Sequence, residues 1–453
     1  MKTPICDFVN QYISIDAVRM HMPGHKGKGH LGFEKYDITE ITGADSLYLA
    51  DGIIKESEEN LTKLYESGGS FYSCEGSSHC IRAMMHLIKL YAEGEYVLAS
   101  RNAHSSFISA CALNDLDIEW LYPCEGSSYL SCVITPEKLE KVLSRVDKAP
   151  ACVYITSPDY LGNMCDIAGL SQVCKNHGVY LVVDNAHGAY LKFLEKDMHP
   201  ITLGADMCCD SAHKTLPALT GGAYLHVSRN VPDFFIQNVK SALSLFGSTS
   251  PSYLILSSLD NVNKYIAEGF KDKLNTFLSD MEKELGKCRL LTVARAKKGE
   301  RVYDFCREPM KIVIESSRVG YTGKELAEML HSRGVVCEFF DNDYLVLMPS
   351  LENGIDEIKN LVAALDKIEI RQPLPKEGLP LIYPKKVMSP RTAMFSPAEK
   401  IKVENALGRT LARSTLSCPP AVSVIVSGEE FNESIVELCE YYGFDTCYVV
   451  SEK

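Results

Sequence analysis

Ala205-Asp206-Met207-Cys208-Cys209-Asp210-Ser211-Ala212-His213-Lys214-Thr215 passes from a short apolar run into a polar turn that carries a lysine. The run Asp206 to Cys209 reads as a buried strand, and the residues after it as the loop at its carboxyl end. The same form occurs earlier, in Val182-Val183-Asp184-Asn185-Ala186-His187-Gly188, where an aspartate ends a strand predicted from Val179. Working outward, further strands are predicted over Phe71 to Cys74, Tyr96 to Ala99, Ala151 to Ile155 and Ala223 to Val227. Ile81, Met84, Met85, Ile88 and Tyr91 recur at helical spacing between two of them, and Leu170, Val173 and Cys174 mark another helix. Strands separated by helices predict parallel β-α-β units, an α/β fold with its sheet covered on both faces. Ligands in such folds sit beyond the carboxyl ends of the strands. Asp184 and Lys214 both stand there.

The pattern changes after Pro251. A long helical stretch is predicted from there towards Leu285, with Ser250 as its N-cap and Pro251 at its first position. From Leu291 a strand at Ile312 to Ile314, a helix at Gly323 to Arg333 and strands at Val335 to Cys337 and Tyr344 to Met348 suit a smaller α+β unit. Arg371 to Pro397, with its prolines, reads as a linker. A helix over Glu399 to Ala412 and strands at Val422 to Val426 and Thr446 to Val450 follow. The expected organisation is an N-terminal arm over 1–30, a large domain over 31–290, a small α+β domain over 291–370, and a linker with a tail domain over 371–453.

Composition excludes several classes. A chain of 453 residues with 46% hydrophobic and 23% charged residues is an ordinary globular protein of two or three domains. Its 47 basic and 59 acidic residues, a net charge of -12, argue against a nucleic-acid surface. No signal peptide and no membrane-length apolar run is found, so a cytoplasmic location is expected. The 17 cysteines are scattered, with no CxxC pair or zinc-like spacing, and are expected to be reduced and to hold no metal. Adjacent Cys208 and Cys209 point to opposite faces of a strand, so no bridge between them is expected.

A lysine at a strand end, flanked by Ser211 and His213 and followed by Gly221-Gly222, can present its amine into a cleft. Enzymes that use pyridoxal 5′-phosphate (PLP) need such an amine, because it forms an imine with the cofactor aldehyde. The bland alternative is a solvated lysine in a turn. Asp184 alters the balance, since a carboxylate facing the pyridine nitrogen keeps it protonated and makes the ring an electron sink. His187 follows closely enough to reach cofactor or substrate. Taken singly, Asp184 reads equally well as a helix cap and His187 as a satisfied polar residue. Gly76-Ser77-Ser78 opens a helix, where exposed N–H groups and the helix dipole favour a phosphate. His104, in Arg101-Asn102-Ala103-His104-Ser105, could lie flat on a pyridine ring or simply sit on a surface loop. Gly247-Ser248-Thr249-Ser250 could be a helix start or could offer hydroxyls to a phosphate.

Together these segments resemble the ornithine/lysine/arginine decarboxylase family of bacterial fold-type-I PLP enzymes. The matching stretches are HMPGHKGKG at His21, GADSL at Gly43, GSS at Gly76, RNAHSS at Arg101 and TSPDYLG at Thr156. VDNAHGAYL at Val183, SAHKTLPALTGGAYLHV at Ser211, GSTSPSYLILSSLD at Gly247 and MSPRTAMFSPAEKIKVENALGR at Met388 complete the set, in the family's order from about residue 4 to 430. The likeness is to the short form without an N-terminal wing domain. It implies a fold-type-I large domain with a mainly parallel sheet, followed by a smaller α+β C-terminal region. It implies that Lys214 carries the cofactor, Asp184 pairs with the pyridinium and His104 stacks on the ring. Ser77, Ser78, Ser211 and His213 surround the phosphate, and Ser248 and Thr249 reach a partner subunit's cofactor in a homodimer. The implied reaction is decarboxylation of a basic amino acid, arginine favoured over lysine or ornithine, in polyamine-type metabolism. The phosphate loop departs from the family: Glu75 stands where asparagine is common, and a carboxylate beside a phosphate is unfavourable unless turned away or paired. Asn185 replaces a usual glutamate, and Gly221-Gly222 a commoner Gln-Ala pair. The same fold and cofactor also support transamination and elimination, and a non-catalytic binding protein can retain them.

Overall fold

The computed structural model describes residues 1–123, 127–294, 306–375, 382–414 and 421–452. They form two compact units, one of Met1–Glu95, Pro136–Ile155 and Asp166–Asp272, the other of Tyr96–Thr135, Thr156–Cys165 and Lys273–Lys453. The strands of the α/β part are β1 (Gly69–Ser73), β2 (Tyr96–Ser100), β3 (Asp117–Leu121), β4 (Cys152–Thr156), β5 (Tyr180–Asp184), β6 (Met207–Asp210) and β7 (Ala223–Val227). In the first unit the order is β1-β7-β6-β5-β4, and in the second β2 pairs in parallel with β3. The six strands expected from apolar runs are all present. The seventh, β3, has no such run: Ile118 and Leu121 are buried while Glu119 is exposed, the half-wet pattern of an edge strand.

The sheet is α/β and mainly parallel, with one reversal. β5 and β6 run in parallel, but β7 is antiparallel to both β6 and β1, with Cys208 opposite His226 and Ser70 opposite His226 on its other side. The link from β6 to β7 holds only the one-turn helix Ala212–Thr215, and β7 returns antiparallel beside β6. Helix Gly76–Tyr91 leaves β1 and buries Cys80, Ile81, Ala83, Met84, Met85, Leu87 and Ile88. Leu181, Val182 and Val183 of β5 are wholly buried, as expected of a strand covered on both faces. Burying side chains of this size contributes roughly 1.5–3 kcal/mol each.

The stretch after Pro251 is two helices, Tyr253–Ala267 and Phe270–Leu285, separated at Gly269, whose φ of +87° ends the first. The cap is Ser252 rather than Ser250: its side chain accepts from the Ile255 N–H at 3.4 Å. In the second unit β8 (Ile312–Glu315), β9 (Phe339–Phe340) and β10 (Tyr344–Leu347) form a sheet ordered β8-β10-β9, backed by helices Gly323–His331 and Gly354–Asp366. Val335 to Cys337 is not a strand. Val335 N–H still closes the preceding helix on Leu330 O, and pairing resumes only at Glu338. The helix expected over Glu399 to Ala412 is also absent: β11 (Ala398–Lys402) pairs antiparallel with β12 (Thr446–Val450), and Gly408 at φ +75° turns the chain. Val422 makes an isolated bridge to His104 rather than opening a strand over Val422 to Val426. Within the linker expected over 371–397, Pro390–Phe395 is helical, and 376–381 lie outside the described residues. No disulfide occurs among the described cysteines, and Cys208 and Cys209 are buried free thiols.

Candidate active site

The first unit gathers most of the expected residues at the ends of β1, β5 and β6. Lys214 lies in the helical turn that follows β6, and its Nζ is 3.2 Å from His187 Nε2. His187 is buried and reaches this point because Gly188 and the turn Asn185–Gly188 fold the chain back after β5. Asp184 ends β5 and is also buried. Tyr154 of β4 donates its hydroxyl to Asp184 Oδ2 at 3.2 Å, and Ala186 N–H donates to Oδ1 at 3.2 Å. Cys209, beside Asp184 in the parallel register, offers its thiol to Oδ1 at 3.7 Å. Tyr154 has no signal in the sequence, because its role depends on β4 lying beside β5.

A second group faces the start of helix Gly76–Tyr91. Ser211 Oγ donates to Ser77 Oγ at 2.9 Å, so two hydroxyls meet near the exposed N–H groups of the first turn. Gly76 has φ +73°, and the space where a Cβ would project is open. Ser78 is half-buried in that turn. Gly222 O accepts from both His213 N at 3.1 Å and His213 Nδ1 at 2.8 Å. Burial lowers the pKa of His213 and the Lys214 amine adds to this, against the pull of that carbonyl. Gly221 is required next to it: a side chain there would sit 2.7 Å from Cys74 O, at φ +96°. A helix N-terminus with converging hydroxyls and open space can hold an anion.

Glu75 precedes this helix but places no side-chain bond on its N–H groups. Its Oε1 instead accepts from Ser248 N–H at 2.6 Å, so the charge that the sequence put beside the cradle is paired elsewhere. Ser248 and Thr249 are exposed, and Gly247 packs so closely that a Cβ would lie 1.8 Å from Tyr48 Oη. His104 belongs to the second unit. It caps helix Ser105–Leu113, with Nδ1 3.1 Å from Ser106 N and 2.7 Å from Ser106 Oγ. Among the described residues, no helix is long and apolar enough to cross a membrane.

Residues 3–310 match the family model of the Orn/Lys/Arg decarboxylase major domain. A Bacillus subtilis protein known as uncharacterized protein YaaO is 27% identical over 96% of this chain and 93% of its own length. An arginine decarboxylase of Halalkalibacterium halodurans is also 27% identical, over 96% of this chain and 92% of that one. Among solved structures, the lysine decarboxylase LdcF of Francisella novicida superposes with a TM-score of 0.79 at 18% identity, covering 99% of this chain and 81% of that one. At that identity the last comparison speaks for the fold, which is the fold-type-I PLP architecture. By its match to the family model, the chain belongs to the Orn/Lys/Arg decarboxylase family of PLP-dependent decarboxylases.

Proposed function

We propose that this chain decarboxylates a basic amino acid, arginine in preference to lysine or ornithine, at a site centred on Lys214. The observation that carries the reading is the contact of Lys214 Nζ with His187 Nε2 at 3.2 Å, at a strand end next to that of buried Asp184. The arginine preference is supported by the curated arginine decarboxylases among its relatives. The residues suit PLP: an amine for the aldehyde, a buried carboxylate for the pyridine nitrogen, and an open helix start lined by Ser77 and Ser211 for the phosphate. When bound, that group supplies an electron sink for the pair left on Cα as CO2 departs.

The remaining work falls to the chain. Lys214 would hold the cofactor, and His187, 3.2 Å from Nζ, would take up or return the proton there. After CO2 leaves, the Lys214 amine, with His187 behind it, delivers a proton to Cα. Asp184, held by Tyr154 and by Ala186 N–H, keeps the pyridine nitrogen protonated. Ser77, Ser78, Ser211 and His213 orient the phosphate. On the strength of the resemblance, His104 would stack on the ring, and Ser248 and Thr249 would act across a homodimer. The enzyme would then serve polyamine-type metabolism in the cytoplasm.

The test is a CO2-release assay over arginine, lysine and ornithine, with absorption spectra of the purified protein. A visible cofactor band that vanishes in Lys214→Ala, together with release from arginine, supports the reading. A colourless protein that cannot be loaded with PLP removes it, and a loaded protein that releases no CO2 from any of the three assigns it another PLP reaction.

A further inference from the structure

Behind β5, which ends in Asp184, and β6, which leads into the turn of Lys214, lies a buried polar network that the reaction itself does not use. Asp210 closes β6, one residue before Ser211, and is wholly buried. Its Oδ2 accepts from His199 Nε2 at 3.0 Å and His226 Nε2 at 3.2 Å, and both imidazoles are wholly buried. Its Oδ1 accepts from Asn185 Nδ2 at 2.7 Å. Asn185 directly follows Asp184, and its backbone N–H also bonds Cys209 O at 3.0 Å. From His226 the network continues to Ser70 Oγ at 2.7 Å and on to Ser67 Oγ at 2.7 Å, reaching β1, which leads into the Ser77 helix. One carboxylate therefore ties together three strands and the turn after β5.

Register shows why this is a brace rather than part of the reacting face. Asp184 lies beside Cys209 in the sheet, so the two point to one side. Asp210 points to the other, with Cys208 and His226. The network thus fixes the strand ends from behind. Burial would raise the Asp210 carboxyl, but the His199 and His226 imidazoles that face it outweigh burial and hold it well below the usual range, while burial lowers His226 and favours its neutral, Nε2–H-donating form. His199, Cys208 and Asp210 also place potential metal-ligand atoms within 4.8 Å of one another. Asp210, however, is already bonded through both oxygens, and burial pushes the Cys208 thiol well up, against the thiolate a metal needs.

We propose that Asp210, clamped by His199 and His226 and tied to Asn185, is a positioning residue that sets the separation of the strand ends bearing Asp184 and Lys214. The proposal rests on the roles given to those two residues above. A displacement of about 1 Å in such a pair costs on the order of 100-fold in rate.

The test exchanges donor and acceptor. Asn185→Asp sets two carboxylates against each other and should lower kcat about tenfold or more, with KM changed less than about twofold and the cofactor band retained. The double variant Asn185→Asp with Asp210→Asn restores the bond in reverse, since the new amide donates to residue 185 and its oxygen accepts from both imidazoles. It should recover most of kcat. Independently of the cofactor, crystal structures of the apoprotein should show Lys214 Nζ farther from His187 Nε2 in Asn185→Ala than in the parent. An Asn185→Ala enzyme with parental kcat and an unmoved Lys214 overturns the proposal. So does a folded, loaded double variant no better than Asn185→Asp, or stoichiometric zinc in the purified protein. A parent that binds no PLP defeats the functional reading instead, and the apoprotein structures still decide whether the brace sets the strand ends.

Discussion

Glu429→Ala should destabilise the second unit by about 3–5 kcal/mol, because it strands a buried guanidinium. Arg101 and Glu429 are 4% and 2% exposed, and Arg101 Nη2 meets Glu429 Oε2 at 3.0 Å. The other anchors of Arg101 are Ser423 O at 2.9 Å from Nη1 and Val424 O at 3.0 Å from Nη2. The rings of Trp120 and Tyr383 lie 5.0 and 5.5 Å from its guanidinium carbon. With Glu429 gone, two carbonyl dipoles and two rings must hold a full charge out of water. Glu429 Oε2 also accepts from Val426 N–H at 2.8 Å, and losing that bond leaves a buried donor unmet. Replacing both partners by apolar residues, Arg101→Met with Glu429→Leu, removes the stranded charge and should recover most of the loss. Trp120 is the only tryptophan in the chain, so urea unfolding followed by its fluorescence reads this neighbourhood directly. A loss under about 1 kcal/mol in Glu429→Ala, the scale of an exposed pair, would refute the reasoning. A double variant no more stable than the single one would do the same. The consequence extends to the segment around His104 within the same unit, because Arg101 opens that segment and the tail bonds there through Ser105 N–H to Ala421 O at 2.9 Å.

Tyr154→Phe removes one donor from buried Asp184, and should weaken PLP binding and lower kcat about tenfold, read by cofactor titration and CO2 release. Unchanged values would mean that Ala186 N–H and Cys209 suffice. Glu75→Gln keeps an acceptor for Ser248 N–H while removing a negative charge next to the helix start, so it should tighten PLP binding a few-fold in a titration at low salt. Asp341 is pushed up to about 7 by burial, its Oδ2 has no partner, and Asp343 adds to the shift. The folded protein therefore holds this proton to higher pH than the unfolded chain, and stability falls as pH rises from about 4 to 7, by at most about 4 kcal/mol. Asp341→Asn should be more stable than the parent at pH 8 and equal to it below pH 4 in urea titrations; a variant less stable at pH 8 would show that the carboxylate is needed there.

Much of the fold was legible because its signals are local. A strand buried on both faces must be a continuous apolar run, which is why β4 to β7 could be read from their own residues. The placement of Asp184, His187, Ser211 and Lys214 just past strands was legible for a related reason, since the end of such a run marks where a loop begins. The 3.2 Å contact of Lys214 Nζ with His187 Nε2 was not legible, because it depends on how the turn after β5 meets the turn after β6. The antiparallel course of β7 was not legible, because a twelve-residue link allows either direction and nothing in Ala223 to Val227 itself carries one. The opposite failure occurred at Ala398–Lys402, where residues of good helix propensity form a strand because Thr446–Val450 supplies an edge to pair with.

What the sequence by itself determined is the α/β sheet and the lysine and aspartate at its strand ends. Only the tertiary structure decided what holds them: Tyr154 on Asp184, Glu75 turned to Ser248, and Asp210 locked between His199 and His226. It alone also joined Arg101 to Glu429, 328 residues away. The physical reason is the range of each interaction. Burial and backbone periodicity act on neighbouring residues and leave a pattern in the chain, whereas a hydrogen bond to a buried carboxylate depends on which distant strand the fold sets beside it.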